Sequence, residues 1–155
     1  MDARLIDAAG RGDLAAVRRA HVRGASVDAR DARGRTALVA ASYNNHLAVA
    51  RFLIAAGADV NAKDETVQSP YLISTAEVGD DPRLLNLTVV NGARINSKDS
   101  FNGTGLIRAA DRGYPRIVKR LLKEDIDLGH VNRLGWTALH EAVHVAQVDE
   151  IGRAH

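Results

Sequence analysis

The chain contains no cysteine, which removes disulfides, thiolate zinc sites and cysteine nucleophiles at one stroke. Aromatic residues account for only 4% of its 155 residues. That is too little to fill a sandwich of aromatic-rich strands, whereas the abundant Ala, Leu and Val suit small helices packed closely together. No window approaches the ~20 apolar residues that a membrane span requires. The first residues, Met1-Asp2-Ala3-Arg4-Leu5, carry no apolar run behind a basic start, so no secretory signal is expected and the cytoplasm is the expected compartment. Strong charge of either sign is also missing, the net charge being +2. Residues 1–63 hold ten Lys/Arg against six Asp, 64–131 nine against ten acidic residues, and 132–155 two against three. A mildly basic first third is not the dense basic stripe of a nucleic-acid binder.

What the chain does have is repetition. Gly24-Ala25-Ser26-Val27-Asp28, Gly57-Ala58-Asp59-Val60-Asn61 and Gly92-Ala93-Arg94-Ile95-Asn96 are three versions of one phrase, offset by 33 and 35 residues. Between them runs a second phrase, Thr36-Ala37-Leu38, Ser69-Pro70-Tyr71, Thr104-Gly105-Leu106 and Thr137-Ala138-Leu139, at offsets of 33, 35 and 33. Each period reads as a turn followed by two antiparallel helices. Thr36, Ser69, Thr104 and Thr137 are N-cap residues whose hydroxyls accept orphan backbone N–H groups, and Pro70 falls at the first helical position, where its missing N–H costs nothing. The first helix of each unit buries small residues: Ala8-Ala9, Ala41-Ser42, Ser74-Thr75, Ala109-Ala110 and Ala142-Val143. The second carries apolar pairs one turn apart, Val49/Ala50 with Leu53/Ile54 and Ile117/Val118 with Leu121/Leu122, all on one face. Gly24, Gly57 and Gly92 then stop it, because glycine alone adopts the left-handed C′ conformation freely.

These residues resemble the ankyrin repeat, whose pattern runs Asp-x-x-Gly-x-Thr-Pro-Leu-His, Ala-Ala, Gly-His, Leu-Leu and Gly-Ala-Asp-Val-Asn. Residues 31–63 form the best copy, and the stretch from His130 to Leu139 is similar to small bacterial members. The resemblance implies an all-α fold, an ankyrin-repeat solenoid of helix-turn-helix units joined by hairpin-like loops. A single domain is expected, with units at about 1–30, 31–63, 64–98 and 99–131 and a partial one at 132–155. The sequence departs from the pattern in three places. Two extra residues fall around Val78-Gly79-Asp80-Asp81-Pro82, where Asp81-Pro82 reads as a fresh helix start, and Asp125 replaces the terminal Gly of the fourth unit. Gln147 aligns with the start of a second helix, but Ala154-His155 occupy the Leu-Leu positions, so this end reads as frayed, truncated or covered. Apolar faces of a repeat need a neighbour or a polar cap, so the incomplete unit offers a face through which the chain could associate.

One motif spells chemistry. His140-Glu141-Ala142-Val143-His144 matches His-Glu-x-x-His, in which two His on one helix face hold zinc and the Glu serves as base. The repeat register accounts for the same letters: His140 is the His of Thr-Pro-Leu-His, tying turn to helix, and Ala142-Val143 is the core pair. Glu141 and His144 then fall at variable positions. A zinc-dependent hydrolase stays as the alternative reading, with Glu150 or His155 as third ligand. Arg11-Gly12-Asp13 and the glycines around it fall in an interhelical turn and imply neither adhesion nor dinucleotide binding. No catalytic residue, metal ligand or cofactor is expected.

Function then has to reside on the surface. By the resemblance, the turn tips are fingers and the first helices a palm. The fingers comprise Ala32, Arg33 and Arg35, then Glu65, Thr66 and Gln68, then Ser100, Phe101 and Gly103, then Arg133, Leu134 and Trp136. Tyr43 and Arg112 lie on the palm, as do Glu77, Asp111 and His144. Trp, Tyr and Arg most often anchor protein interfaces, so Arg33, Arg35, Tyr43, Phe101, Arg112 and Trp136 are the expected contacts with a protein partner. Arg33 and Arg35 beside Glu65 and Glu77 point to an acidic-to-mixed epitope. A nucleic-acid partner is not expected.

Overall fold

A computed structural model describes residues 1–133 and 135–154, and side chains as far as Gln147. Leu134 and His155 therefore lie outside the described residues, as does the side chain of Glu150. Nine helices and no strand occur among the described residues: α1 (Asp2–Arg11), α2 (Leu14–Val22), α3 (Ala37–Tyr43), α4 (Leu47–Ala55), α5 (Pro70–Ala76), α6 (Arg83–Val90), α7 (Gly105–Arg112), α8 (Pro115–Leu121) and α9 (Ala138–Ala154). The odd-numbered helices α1, α3, α5, α7 and α9 stack in succession, and α2, α4 and α6 form a second layer behind them. None of the helices is long and apolar enough to cross a membrane.

Capping explains where the helices begin. The hydroxyls of Thr36, Ser69 and Thr104 accept the backbone N–H of Val39, Leu72 and Ile107 at 3.2, 3.1 and 3.4 Å, and Thr137 does the same for His140 at 3.3 Å. Each satisfies a donor that the first turn leaves without an intrahelical partner. Gly24, Gly57 and Gly92 end α2, α4 and α6 with φ of 93°, 98° and 93°. In α8, Asp125 stands where that glycine would be, and the helix stops at Leu121.

The first helices form the buried layer. Every residue of α5 is buried, as are Ala37 to Ser42 of α3. Small side chains let these helices approach: Ala9, Ala41, Ser74 and Ala109 are all fully covered. Tyr71, which takes the place of Leu38 and Leu106, is buried with its hydroxyl donating to Ile95 O at 2.8 Å. Room for it comes from Gly105 in the next unit, where a Cβ would lie 2.9 Å from the Tyr71 hydroxyl.

The two extra residues of the third unit stitch it to both neighbours. Asp81 accepts the Asn45 side-chain amide at 3.2 Å and the Arg83 guanidinium at 2.7 Å, and this pairing holds its carboxyl down at about 2. Asp80 accepts the backbone N–H groups of Arg116 and Ile117 at 3.1 and 2.9 Å. It thereby caps α8, whose own N-cap, Tyr114, makes no side-chain cap.

The last unit departs from the sequence expectation. No second helix starts at Gln147; α9 runs unbroken from Ala138 to Ala154. The turns between the earlier helix pairs all pass through a left-handed residue, namely Gly12, Asn45, Gly79 and Gly113, with φ of 73°, 54°, 78° and 70°. The corresponding residue in the last unit is Ala146, which resists that conformation, so the helix continues. The expected core pair is also displaced. Ala142 and Val143 are exposed and Leu139 is 72% exposed, whereas Glu141, placed among the variable positions, is only 4% exposed. α9 packs on α7; among its described side chains Ala138, Glu141 and Val145 are at least partly covered, while Leu139, Ala142 and Val143 are exposed. The other end of the stack is polar instead, with the Asp7–Arg11 ion pair at 3.0 Å on α1.

Candidate functional site

The turn tips are built by one recurring device. Asp31 Oδ1 accepts the N–H of Arg33 and of Arg35, both at 2.9 Å. Asp64 Oδ1 accepts those of Thr66 and Gln68 at 2.9 and 3.0 Å, and Asp99 Oδ1 those of Phe101 and Gly103 at 2.9 and 2.8 Å. Asn132 Oδ1 accepts Trp136 N–H at 3.1 Å. A carboxylate accepting two N–H groups holds such a turn firmly. Adjacent tips are further joined by backbone bonds, Glu65 N–H to Arg33 O at 3.0 Å and Arg133 N–H to Phe101 O at 2.8 Å. The fingers are therefore fixed before any ligand arrives.

The six expected contacts fall into separate groups. Phe101 and Trp136 line one cleft of about 500 Å³ together with Ile107, Arg108, Asp111, Arg133, Glu141 and His144. Phe101 is 65% exposed; the Arg133 guanidinium lies 5.9 Å from its ring centre. Trp136 is half-buried and meets the edge of the His144 ring at 5.1 Å. Arg112 is half-exposed in the palm, 3.5 Å from Glu77. Two units away, Arg33 projects into solvent, while Arg35 is tied to Asp31 at 2.9 Å. The Tyr43 hydroxyl donates to Asp64 Oδ2 at 2.8 Å, and burial holds that phenol protonated above its ordinary range.

Two charged residues sit at the base of the cleft: Arg108, not singled out from the sequence, and Glu141, expected only at a variable position or as the base of a zinc motif. Arg108 and Glu141 occupy the register position held by Ala40 and Ile73 in earlier units; charge at a position otherwise apolar was the available signal. The Arg108 side chain is 8% exposed. Its guanidinium donates to Asp99 at 2.8 Å, Gln68 at 3.0 Å, Thr75 at 3.1 Å, Leu72 O at 3.2 Å and Glu77 at 3.3 Å. Glu141 accepts from the Asn132 amide at 2.8 Å. Burial, and then the neighbouring Asp111 carboxylate, push Glu141 above the usual carboxylate range.

The His140, Glu141 and His144 side chains of the His-Glu-x-x-His letters each make another contact, and the third-ligand candidates, the Glu150 side chain and His155, lie outside the described residues. Thr137 N–H donates to His140 Nδ1 at 3.1 Å, so His140 ties turn to helix. Glu141 is turned toward α7 and Asn132, and His144 rests on Trp136. Among the described residues, no three His, Asp or Glu side chains group in a way that could hold a metal ion.

The family model for ankyrin repeats (3 copies) matches residues 4–66 and 72–151. The chain is 36% identical over 137 residues to the Escherichia coli (strain K12) ankyrin repeat protein YahD, covering 88% of this chain and 67% of that protein. It is 34% identical over 153 residues to a Bos taurus mitochondrial disaggregase, covering 91% of this chain and 21% of that protein. It is 31% identical over 114 residues to the Homo sapiens transient receptor potential cation channel subfamily A member 1, covering 69% of this chain and 10% of the channel. The similarity thus spans most of this chain and a small part of the two larger proteins.

Proposed function

The chain belongs to the ankyrin-repeat family, and from that premise we propose that it is a protein-interaction module that holds a partner on its concave face and loop tips and performs no catalysis. The observation that carries this reading is Phe101, 65% exposed on a turn fixed by Asp99, facing the same cleft as Trp136. A large apolar side chain displayed on a rigid turn is ready to be covered, and rigidity lowers the ordering cost of association. Arg33, Arg35, Tyr43 and Arg112 extend the proposed contact surface along the fingers and palm. The proposed compartment is the cytoplasm. The solvent-facing apolar side of α9, with Leu139 and Val143, supports a further association there.

A tagged pull-down from native cell extract tests this, comparing the parent with Phe101→Ala/Trp136→Ala and with Arg33→Ala/Arg35→Ala/Tyr43→Ala. The expected result is a protein recovered stoichiometrically by the parent and lost by at least the first variant, with both variants still folded. Undiminished recovery by both folded variants contradicts the concave-face reading.

A further inference from the structure

The cleft between the last two turn tips has apolar walls and an unbalanced base. Phe101, Ile107 and Trp136 supply the walls. Three carboxylates, two guanidinium groups and the His144 imidazole line the same cleft, and both guanidinium groups already have partners. Arg108 is held by Asp99 and Glu77 at 2.8 and 3.3 Å. Arg133 lies over the Phe101 ring and donates to Ser100 O at 2.8 Å. Arg112, nearby on the palm, reaches Glu77. This leaves Asp111 exposed and Glu141 buried behind it, neither paired with a Lys or Arg among the described residues; the exposed His144 imidazole on the same wall is a basic group near Glu141.

Building on the protein-binding reading above, we infer that this cleft receives a lysine or arginine side chain from the partner, its aliphatic stem between Phe101 and Trp136 and its charged head on Asp111 and Glu141. Long basic side chains suit such a site because their methylene stems cover apolar surface while the cation stays at a polar end. Aromatic faces add attraction for the cation. Burial, and then the neighbouring Asp111 carboxylate, disfavour charge on Glu141; an incoming cation offsets that penalty. An acidic side chain gains little from Arg108, which is 8% exposed and already bonded to Asp99, Thr75, Gln68, Leu72 O and Glu77.

Trp136 is the single tryptophan of the chain, so its fluorescence reports on the cleft directly. The test titrates the full chain with acetylated, amidated pentapeptides Gly-Ser-X-Ser-Gly, where X is lysine, arginine, norleucine or glutamate. Lysine and arginine peptides are expected to shift Trp136 emission saturably. Norleucine should bind roughly tenfold more weakly, the loss of one charge-assisted contact, and glutamate not at all. In Asp111→Asn/Glu141→Gln, both substitutions being neutral near-isosteres, lysine should lose its advantage over norleucine. Equal binding of lysine and norleucine peptides by the parent overturns the inference while leaving the protein-binding reading standing, since the pull-down decides that separately. Preference for glutamate, or no response to any peptide, overturns it too.

Discussion

Replacing Arg108 with methionine keeps an unbranched apolar stem in place of the buried side chain and removes all of its polar contacts at once. The guanidinium bridges Asp99 and Glu77 and also donates to Thr75, Gln68 and Leu72 O, so it joins the third and fourth units. Removing one partner of a buried ion pair costs about 3–5 kcal/mol, mainly because the remaining charge is stranded. The lower part of that range applies here. Asp99 Oδ1 keeps two backbone N–H groups, and Glu77, 31% exposed, retains water and Arg112. The expected loss is therefore about 3 kcal/mol, a large share of the roughly 5–15 kcal/mol that stabilises a typical domain. Urea unfolding followed by both far-ultraviolet circular dichroism and Trp136 emission measures it, two probes being needed because repeat arrays can unfold in stages. Adding Asp99→Asn to Arg108→Met should recover part of the loss, since asparagine keeps the turn's acceptor without a stranded charge. A loss below about 1 kcal/mol, the range of surface ion pairs, or a double variant no better than the single one, refutes this reasoning.

Three further outcomes are expected. Val67 has φ of 64°, where the equivalent turn positions hold Gly34, Asn102 and Gly135; a β-branched residue is strained there, so Val67→Gly should raise stability by about 1 kcal/mol in urea titrations. Asp80→Ala should cost about 1 kcal/mol and speed amide hydrogen exchange at the start of α8, with little change in α4. Glu141 titrates above its unfolded range, through burial and then Asp111, so its stabilising contribution is full below the ordinary glutamate range and is lost as pH rises through the elevated value. Glu141→Gln should accordingly gain on the parent in urea midpoint at neutral pH and lose that gain in acid; an equal difference at both pH values removes this account of the pair.

The parts of the fold that local chemistry dictates were legible in the sequence. Thr36, Ser69 and Thr104 cap, and Gly24, Gly57 and Gly92 terminate, because a hydroxyl at the N-cap and a left-handed glycine at C′ act through their immediate neighbours. At the last unit the repeat register loses its local support. Without a Gly or Asn at position 146 the helix has no reason to turn, and no described residue covers Ala142 and Val143. In the candidate site, Phe101 and Trp136 could be placed from the register of the turns. The roles of Arg108 and Glu141 could not, because four of the five partners of Arg108 lie 31 to 40 residues away and Glu141 depends on Asp111 and Asn132 around it. The capping of α8 by Asp80 was hidden for the same reason, since its targets lie 36 and 37 residues further on.

Site-specific photo-crosslinking in the native cell shows whether a protein partner sits on the turn tips and first helices. A benzoylphenylalanine replaces Phe101 in one variant and Arg51, exposed on α4 in the outer layer, in another. A discrete protein adduct is expected from position 101 and none from position 51. An adduct from position 51 alone, or none from a well-folded chain carrying the probe at 101, contradicts that placement.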